Sequence, residues 1–286
     1  MGPQDTPDVM DDDDNHVSSE IYEEIDYTSP SKPTFNPSYE VSRFEFSTPH
    51  DNSVMVDSDG DLIVPRRKFS RKNYVDIENK RSTVLGLVGL QVWRGALLLA
   101  DWLIYNSKNI QKGTHILELG SGVGLSSIIA SMFSPVFCTD IDKGDIMPLI
   151  KHNVQKNTRL VQNPVEVIEL NFNSETLPST IAEALPNIPV IIAADVIYDD
   201  TLTDAFISTV RKLLAPPGDR SIYVALEKRY VFTIADCDSV APCYEYFMRC
   251  LKEANGINSE ELALDFPQYF RYERVKELAM WKLSKS

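Results

Sequence analysis

Four polar residues, Glu118, Asp140, Asn171 and Asp195, each close a short apolar run, and three alternating glycines, Gly120, Gly122 and Gly124, follow the first of them. An apolar run that ends in an acid and a glycine turn is how a buried parallel strand passes into a helix over a bound nucleoside. Glycine suits such a turn because the backbone bends tightly and a ligand approaches where a Cβ would collide. Glu118, just ahead of the turn, repels a pyrophosphate but pairs with a cation or accepts from hydroxyls. Asp140 stands twenty positions after Gly120, the spacing at which a carboxylate accepts both ribose hydroxyls. The third glycine follows the second by two residues, whereas the dinucleotide fingerprint needs three. The ligand that fits is S-adenosylmethionine, which has a sulfonium and an ammonium and no phosphate.

The fourth polar residue offers different chemistry. Asp195 follows Val190-Ile191-Ile192-Ala193-Ala194, and Tyr198 comes three positions later. A small Ala194 at the rim leaves room for adenine and a methyl donor. Methyl transfer is an in-line displacement, so a protein must chiefly align the nucleophile and exclude water. A lysine amine, pKa about 10.4, is almost wholly protonated at neutral pH. A carboxylate at Asp195 recruits the ammonium and orients the amine once its proton has left, while burial assists the deprotonation that the carboxylate itself opposes. An aromatic face at Tyr198 or Trp93 favours the cation further. The alternative is that Asp195 caps a helix beginning near 200 and that Tyr198 is core.

These residues need a frame. From residue 90 onward, apolar runs of strand length at 114–119, 135–139, 164–170, 189–195 and 221–227 alternate with helical stretches at 123–133, 144–158, 175–185 and 200–214. A helix near 239–254 and two closing strands, 261–270 and 276–283, complete the pattern. The expected fold is α/β: a Rossmann-like, seven-stranded methyltransferase sheet, mostly parallel with a terminal antiparallel hairpin and helices on both faces. Ligands bind such a sheet at the carboxyl ends of its strands, where the four polar residues fall.

Charge divides the 286 residues. Residues 1–60 hold fifteen acids against Lys32 and Arg43, a net of −13 out of −14 for the chain. The expected organisation is a disordered acidic tail over 1–62, a basic linker or domain start over 63–84, and the methyltransferase domain over 85–286. Tyr22, Tyr27 and Tyr39 read as solvated tail residues, or as docking or phosphorylation sites. Five positive charges in residues 65–72 read as a nuclear import signal or a soluble hinge. The near-neutral remainder argues against direct nucleic-acid binding. No stretch reads as a membrane span or signal peptide, placing the chain inside the cell. Four cysteines and four histidines show no metal-ligand spacing, so no metal is expected. No leftover apolar surface demands a partner, which implies a monomer.

Taken together, Gln91-Val92-Trp93-Arg94-Gly95-Ala96, the run ending at Asp101, the stretch from Glu118 to Gly124, and Asp195-Val196-Ile197-Tyr198 resemble the family-16 protein-lysine methyltransferases. Cys138-Thr139-Asp140, Glu227-Lys228-Arg229 and Tyr272-Glu273-Arg274 add to the resemblance, which covers about residues 85–284. It implies methylation of a protein lysine with S-adenosylmethionine as cofactor. By position it puts Trp93 beside the cofactor, Gly120 and Gly122 under it with Glu118 and Ser121, Asp140 on the ribose, and Ala194 on the adenine side. Asp195 and Tyr198 match the motif that lines the lysine channel. Where the family usually has Leu-Asp-Trp, this chain has Leu170-Asn171-Phe172; Phe172 still stacks, without an indole donor. The resemblance also implies a nuclear location, shared with the cytoplasm, and a protein substrate presenting a lysine, such as a basic nucleic-acid-associated protein or a chaperone. Two alternatives stand: methylation of a nucleic acid or small molecule, against which the fourth strand lacks Asn-Pro-Pro-Tyr, and a non-catalytic scaffold that binds partners through its acidic tail.

Overall fold

Side chains alternate across a β-strand, and that alternation divides the protein into two cores. Ile116 packs into one, while Leu117 and Leu119 pack into the other. The computed structural model describes residues 16–48, 72–233 and 238–286. Its first elements are β1 (His16–Ser18), α1 (Ile21–Glu24), β2 (Glu40–Ser47), β3 (Lys72–Asn79) and β4 (Ser82–Val84). Then come α2 (Arg94–Asn106), β5 (Ile116–Leu119), α3 (Leu125–Ala130), β6 (Val136–Asp140), α4 (Ile146–Lys156), β7 (Val165–Glu169), α5 (Ser179–Ala184), β8 (Val190–Ala194), α6 (Asp200–Leu214) and β9 (Ser221–Glu227). The chain closes with β10 (Val231–Thr233), β11 (Asp238–Val240), α7 (Pro242–Glu253), β12 (Ile257–Glu261) and β13 (Leu278–Lys285).

Seven strands form one sheet in the order β12-β13-β9-β8-β5-β6-β7. The five from β9 to β7 are parallel, and β13 runs antiparallel to both its neighbours, as the sequence implies. Helices α2, α3 and α4 cover one face and α5, α6 and α7 the other. The chain reverses direction in the sheet between β5 and β8, so the turns after β5, β6 and β8 open onto one crevice.

Three expectations need correction. The sixth strand lies at Ile257–Glu261, earlier than 261–270. The intervening segment is drawn instead to α2, where the fully buried Asp101 accepts from the backbone N–H groups of Tyr269 (2.7 Å) and Phe270 (2.8 Å), the Tyr272 hydroxyl (2.9 Å) and Arg274 (2.8 Å). A carboxylate in the core must be saturated with donors, and this one takes them from the loop. The stretch Leu85–Asn109 is, by length and composition, apolar enough to cross a membrane, but 78% of its most apolar window is buried inside the domain. It comprises a 3-10 turn, Leu85–Leu90, and α2 with its closing turn, which pack into the core on one face of the sheet.

The expected tail over 1–62 is the third. Residues 16–48 fold onto the α2 face, burying Ile21, Tyr27, Tyr39, Phe44 and Phe46. Tyr22 is half-buried and donates to Asn79, so none of the three tail tyrosines is a free solvated ring. Phe44 and Phe46 alternate with Arg43 and Glu45, a half-buried strand pattern that the acid-rich composition around it conceals. The domain therefore begins well ahead of 85. The acidic run 11–14 and the basic positions 65–71 lie outside the described residues.

The strands β2 and β3 pair antiparallel along eight residues. The other edge of β3 is met by α4: Asn157 and Asn153, one turn apart, each accept from and donate to one strand residue, Asp76 and Glu78, over 2.7–3.0 Å. Helix residues i and i+4 rise about 6 Å and strand residues i and i+2 about 6.8 Å, so two carboxamides match two rungs. The Glu78 side chain is fully buried, against Lys156 (2.8 Å), His152 (2.9 Å) and the N–H groups of Thr34 and Phe35 (both 2.9 Å). Burial alone raises its carboxyl, but Lys156, those two N–H groups and His152 outweigh it and hold the group at about 2. A carboxyl lowered on folding adds stability that is complete above its unfolded value and is lost as pH falls through the folded one. Urea titrations should show the wild type losing on the order of 3 kcal/mol relative to Glu78→Gln between pH 7 and about pH 2. Parallel pH profiles for the two proteins would refute the assignment.

Candidate active site

The turns at the carboxyl ends of the parallel strands enclose a cavity of about 370 Å³. The residues assigned from the sequence to the cofactor or the lysine channel all line it: Trp93, Glu118, Gly120, Ser121, Gly122, Asp140, Asn171, Phe172, Ala194, Asp195 and Tyr198; Gly124, the third glycine of the turn, does not. They do not all end strands, however. Glu118 lies inside β5, Asp140 is the last residue of β6, Asn171 is two past β7, and Asp195 follows β8 directly.

The turn's three glycines are left-handed, with φ of +65° at Gly120, +56° at Gly122 and +84° at Gly124. A Cβ on Gly120 would lie 2.7 Å from Val196 Cγ1, so the turn tolerates no side chain. Ser121 fixes the turn to β6 by giving both its N–H and its hydroxyl to the Thr139 carbonyl, at 2.9 Å each. Asp140 accepts from the N–H groups of Gly122 and Ile141, both at 2.7 Å. Burial pushes its carboxyl up to about 6 against the pull of those two donors. Glu118 is buried and its carboxylate takes the Ser127 hydroxyl at the start of α3. Burial raises Glu118 to about 7, with Ser127 and Ser126 opposing and Asp140 adding to the rise. The sequence placed Glu118 against a ligand cation or hydroxyl; here its carboxylate bonds Ser127, and the residue still borders the cavity.

The helix-capping alternative for Asp195 fails in detail. Asp199 caps α6 by accepting from the Leu202 N–H at 2.8 Å. Asp195 instead has φ +52°, the one positive value outside glycine among the described residues. Its Oδ2 accepts from the Gly95 N–H in the first turn of α2 (2.6 Å), and its Oδ1 from the Glu227 N–H (3.1 Å). Burial raises its carboxyl, countered by Arg229, those two N–H groups and Arg94. A left-handed aspartate persists only where its surroundings over-determine it, and such strain gathers at functional sites.

Three rings line the same cavity. Trp93 is fixed by its indole N–H to the Val88 carbonyl (2.9 Å), and the Arg229 guanidinium lies 4.3 Å from its centroid. Tyr198 is half-buried, its phenol pushed up to about 12 by burial, Asp140 and Asp199, and so stays neutral. Phe172 packs edge-on to Phe206 at 5.6 Å, and its ring reaches to 3.8 Å from where a Cβ on Gly120 would be. Asn171 turns back on the Asn173 N–H (2.9 Å).

Sequence reasoning missed two parts of the site. The 3-10 turn Leu85–Leu90 forms one wall, with the Gly89 carbonyl 3.0 Å from a Cβ placed on Gly122. Two glycines, Gly86 and Gly89, inside an apolar run were its signal. Gly95 was the other: a Cβ there would meet Asp195 Oδ2 at 2.4 Å.

Comparison with known proteins gives the site a context. A family model described as lysine methyltransferase matches residues 71–251. Methyltransferase-like protein 22 of Mus musculus is 32% identical over 255 residues, 81% of this chain and 64% of its own length. The protein of the same name from Homo sapiens is 31% identical over 253 residues, 80% of this chain and 62% of its own. Protein-lysine N-methyltransferase rrg1 of Schizosaccharomyces pombe is 28% identical over 176 residues, 57% of this chain and 56% of its own. The chain thus spans somewhat less than two thirds of the length of these two methyltransferase-like 22 proteins.

The contact between Gly95 and Asp195 can be tested without any ligand. Gly95→Ala should drive the carboxylate off its cap and destabilise the fold by about 1–3 kcal/mol. Urea unfolding at pH 7 measures this, and an unchanged midpoint would show that the two do not touch.

Proposed function

The chain belongs to the lysine methyltransferase family, and we propose on that footing that it transfers a methyl group from S-adenosylmethionine to a lysine side chain of a protein. The observation that carries the reading is one cavity lined together by a glycine turn, the Asp195 carboxylate and three aromatic rings. The residues fit the cofactor. Backbone of Gly120 and Gly122 bordering the cavity, an acceptor at Asp140 for a vicinal diol, and the carboxylates of Glu118 and Asp195 all suit a cationic nucleoside without phosphate. Bound there, S-adenosylmethionine would supply an electrophilic methyl group.

The chain's own residues do the rest. Asp140 and Gly122 would hold the ribose, and Phe172, Val196 and Ala194 would flank the adenine. Asp195 attracts the lysine ammonium, and its carboxyl, raised by burial, accepts hydrogen from the amine better than an exposed aspartate would. The neutral Tyr198 hydroxyl both donates and accepts beside it. Trp93, Tyr198 and Leu202 line the cavity, and a lysine seated among them would be shielded from water, which disfavours the protonated amine. We further propose that the substrate is a basic protein of the nucleus, drawn by the acidic N-terminal stretch and reached through import directed by residues 65–72.

The purified chain, incubated with radiolabelled S-adenosylmethionine and nuclear extract, should label discrete proteins on lysine, with Gly120→Arg inactive. Label recovered on nucleic acid or small molecules alone would overturn the reading. Asp195→Asn should slow transfer about a hundredfold while cofactor affinity stays within about threefold. Affinity for S-adenosylhomocysteine, titrated by calorimetry, should fall as pH drops through about 6, where Asp140 takes up its proton. In Asp140→Asn binding should be weak and that step absent; a step of the same size would sink the ribose role.

A further inference from the structure

The two N–H groups that hold Asp195 belong to elements far apart in the chain, Gly95 at the start of α2 and Glu227 at the end of β9. The side chains beside them are joined. Arg94, which precedes Gly95 and is 3% exposed, gives one guanidinium nitrogen to the Glu227 carboxylate and another to that of Glu24 in α1. One side chain thus ties the first turn of α2 to the end of β9, and so sets the gap into which both oxygens of Asp195 fit.

Glu24 belongs to the segment 16–48, ahead of the region 71–251 that matches the family. Its carboxylate and that of Glu227, with side chains 20% and 12% exposed, share a single guanidinium. Among the described residues, Arg94 Nε and Glu227 Oε2 are buried without a hydrogen-bond partner, so Glu227 keeps an unused acceptor toward which the guanidinium would turn if Glu24 were lost. A buried guanidinium left with one partner would shift toward it or toward water. Either movement carries Gly95 or Glu227 with it, and Asp195 cannot follow freely because its φ of +52° is tolerated only under constraint.

We propose that Arg94 and Glu24 are positioning residues for Asp195, and that the segment 16–48 is part of the methyl-transfer site. The claim for catalysis rests on the lysine methyltransferase reading. The claim for geometry does not.

The test uses the full chain carrying Glu24→Gln, which keeps the size of the side chain and removes its charge, with the exposed neighbour Glu23→Gln as control. Amide hydrogen exchange, followed by NMR, should speed up about tenfold at Gly95 and Glu227 and stay unchanged at Leu117 in β5. Transfer of radiolabel from S-adenosylmethionine to nuclear-extract protein should fall about tenfold, with calorimetric affinity for S-adenosylhomocysteine within about twofold. Arg94→Lys, which keeps the charge but loses the two-pronged geometry, should behave like Glu24→Gln. If that variant does not fold, Glu24→Gln alone decides. Wild-type exchange at Gly95 and Glu227 would overturn the proposal, and so would acceleration spread evenly to Leu117, the mark of a merely structural contact. A wild-type chain that labels no protein would remove the lysine reading, while the exchange result would still judge the network.

Discussion

A carboxylate taken out of water has to be surrounded by donors, and the need to supply them shapes this protein more than any other single constraint. Glu78, Asp101, Glu118, Asp140 and Asp195 all border or enter the interior, and each draws donors from a different stretch of chain. Asp101 pulls the segment before β13 onto α2; Glu78 binds the N-terminal segment to α4; Asp195 fastens α2 to the ends of β8 and β9. Hydrophobic burial assembles the two cores, but these acids decide how loops and termini lie on them.

The same chemistry makes the site. Three of the acids border the crevice that sheet geometry leaves beside the parallel strands, and burial raises their affinity for protons. Backbone N–H groups are the hydrogen-bond partners of Asp140 and Asp195 there, and the Ser127 hydroxyl is that of Glu118. Such partners fix direction without cancelling charge, so a carboxylate stays oriented and still attracts a cation.

Much of this was legible in the sequence, because the strands that carry the site are buried on both faces and stop abruptly. The apolar run before Asp195 and the spaced glycines after Glu118 depend on local sequence alone. Residues 16–48 were misread because their strand pattern, Phe44 and Phe46 between charged neighbours, is short and set in an acidic composition. What pairs Glu24 with Arg94, or Asp101 with Tyr272, spans 70 and 171 positions and has no periodic signal to mark it. The strand expected at 261–270 failed for the same reason, since a distant carboxylate competed with sheet pairing for its N–H groups.

Asn153 in α4 and Asn157 at its C-terminal cap do more than hold β3 in place. A two-stranded ribbon ordinarily leaves each strand one open edge, and an open edge is a template on which another chain adds a strand. Asn153 and Asn157 fill the exposed rungs of β3 with side-chain amides, as a third strand would, yet a helix cannot propagate the ladder. The ribbon is thereby guarded against edge-to-edge association on that side by two residues that never enter a sheet.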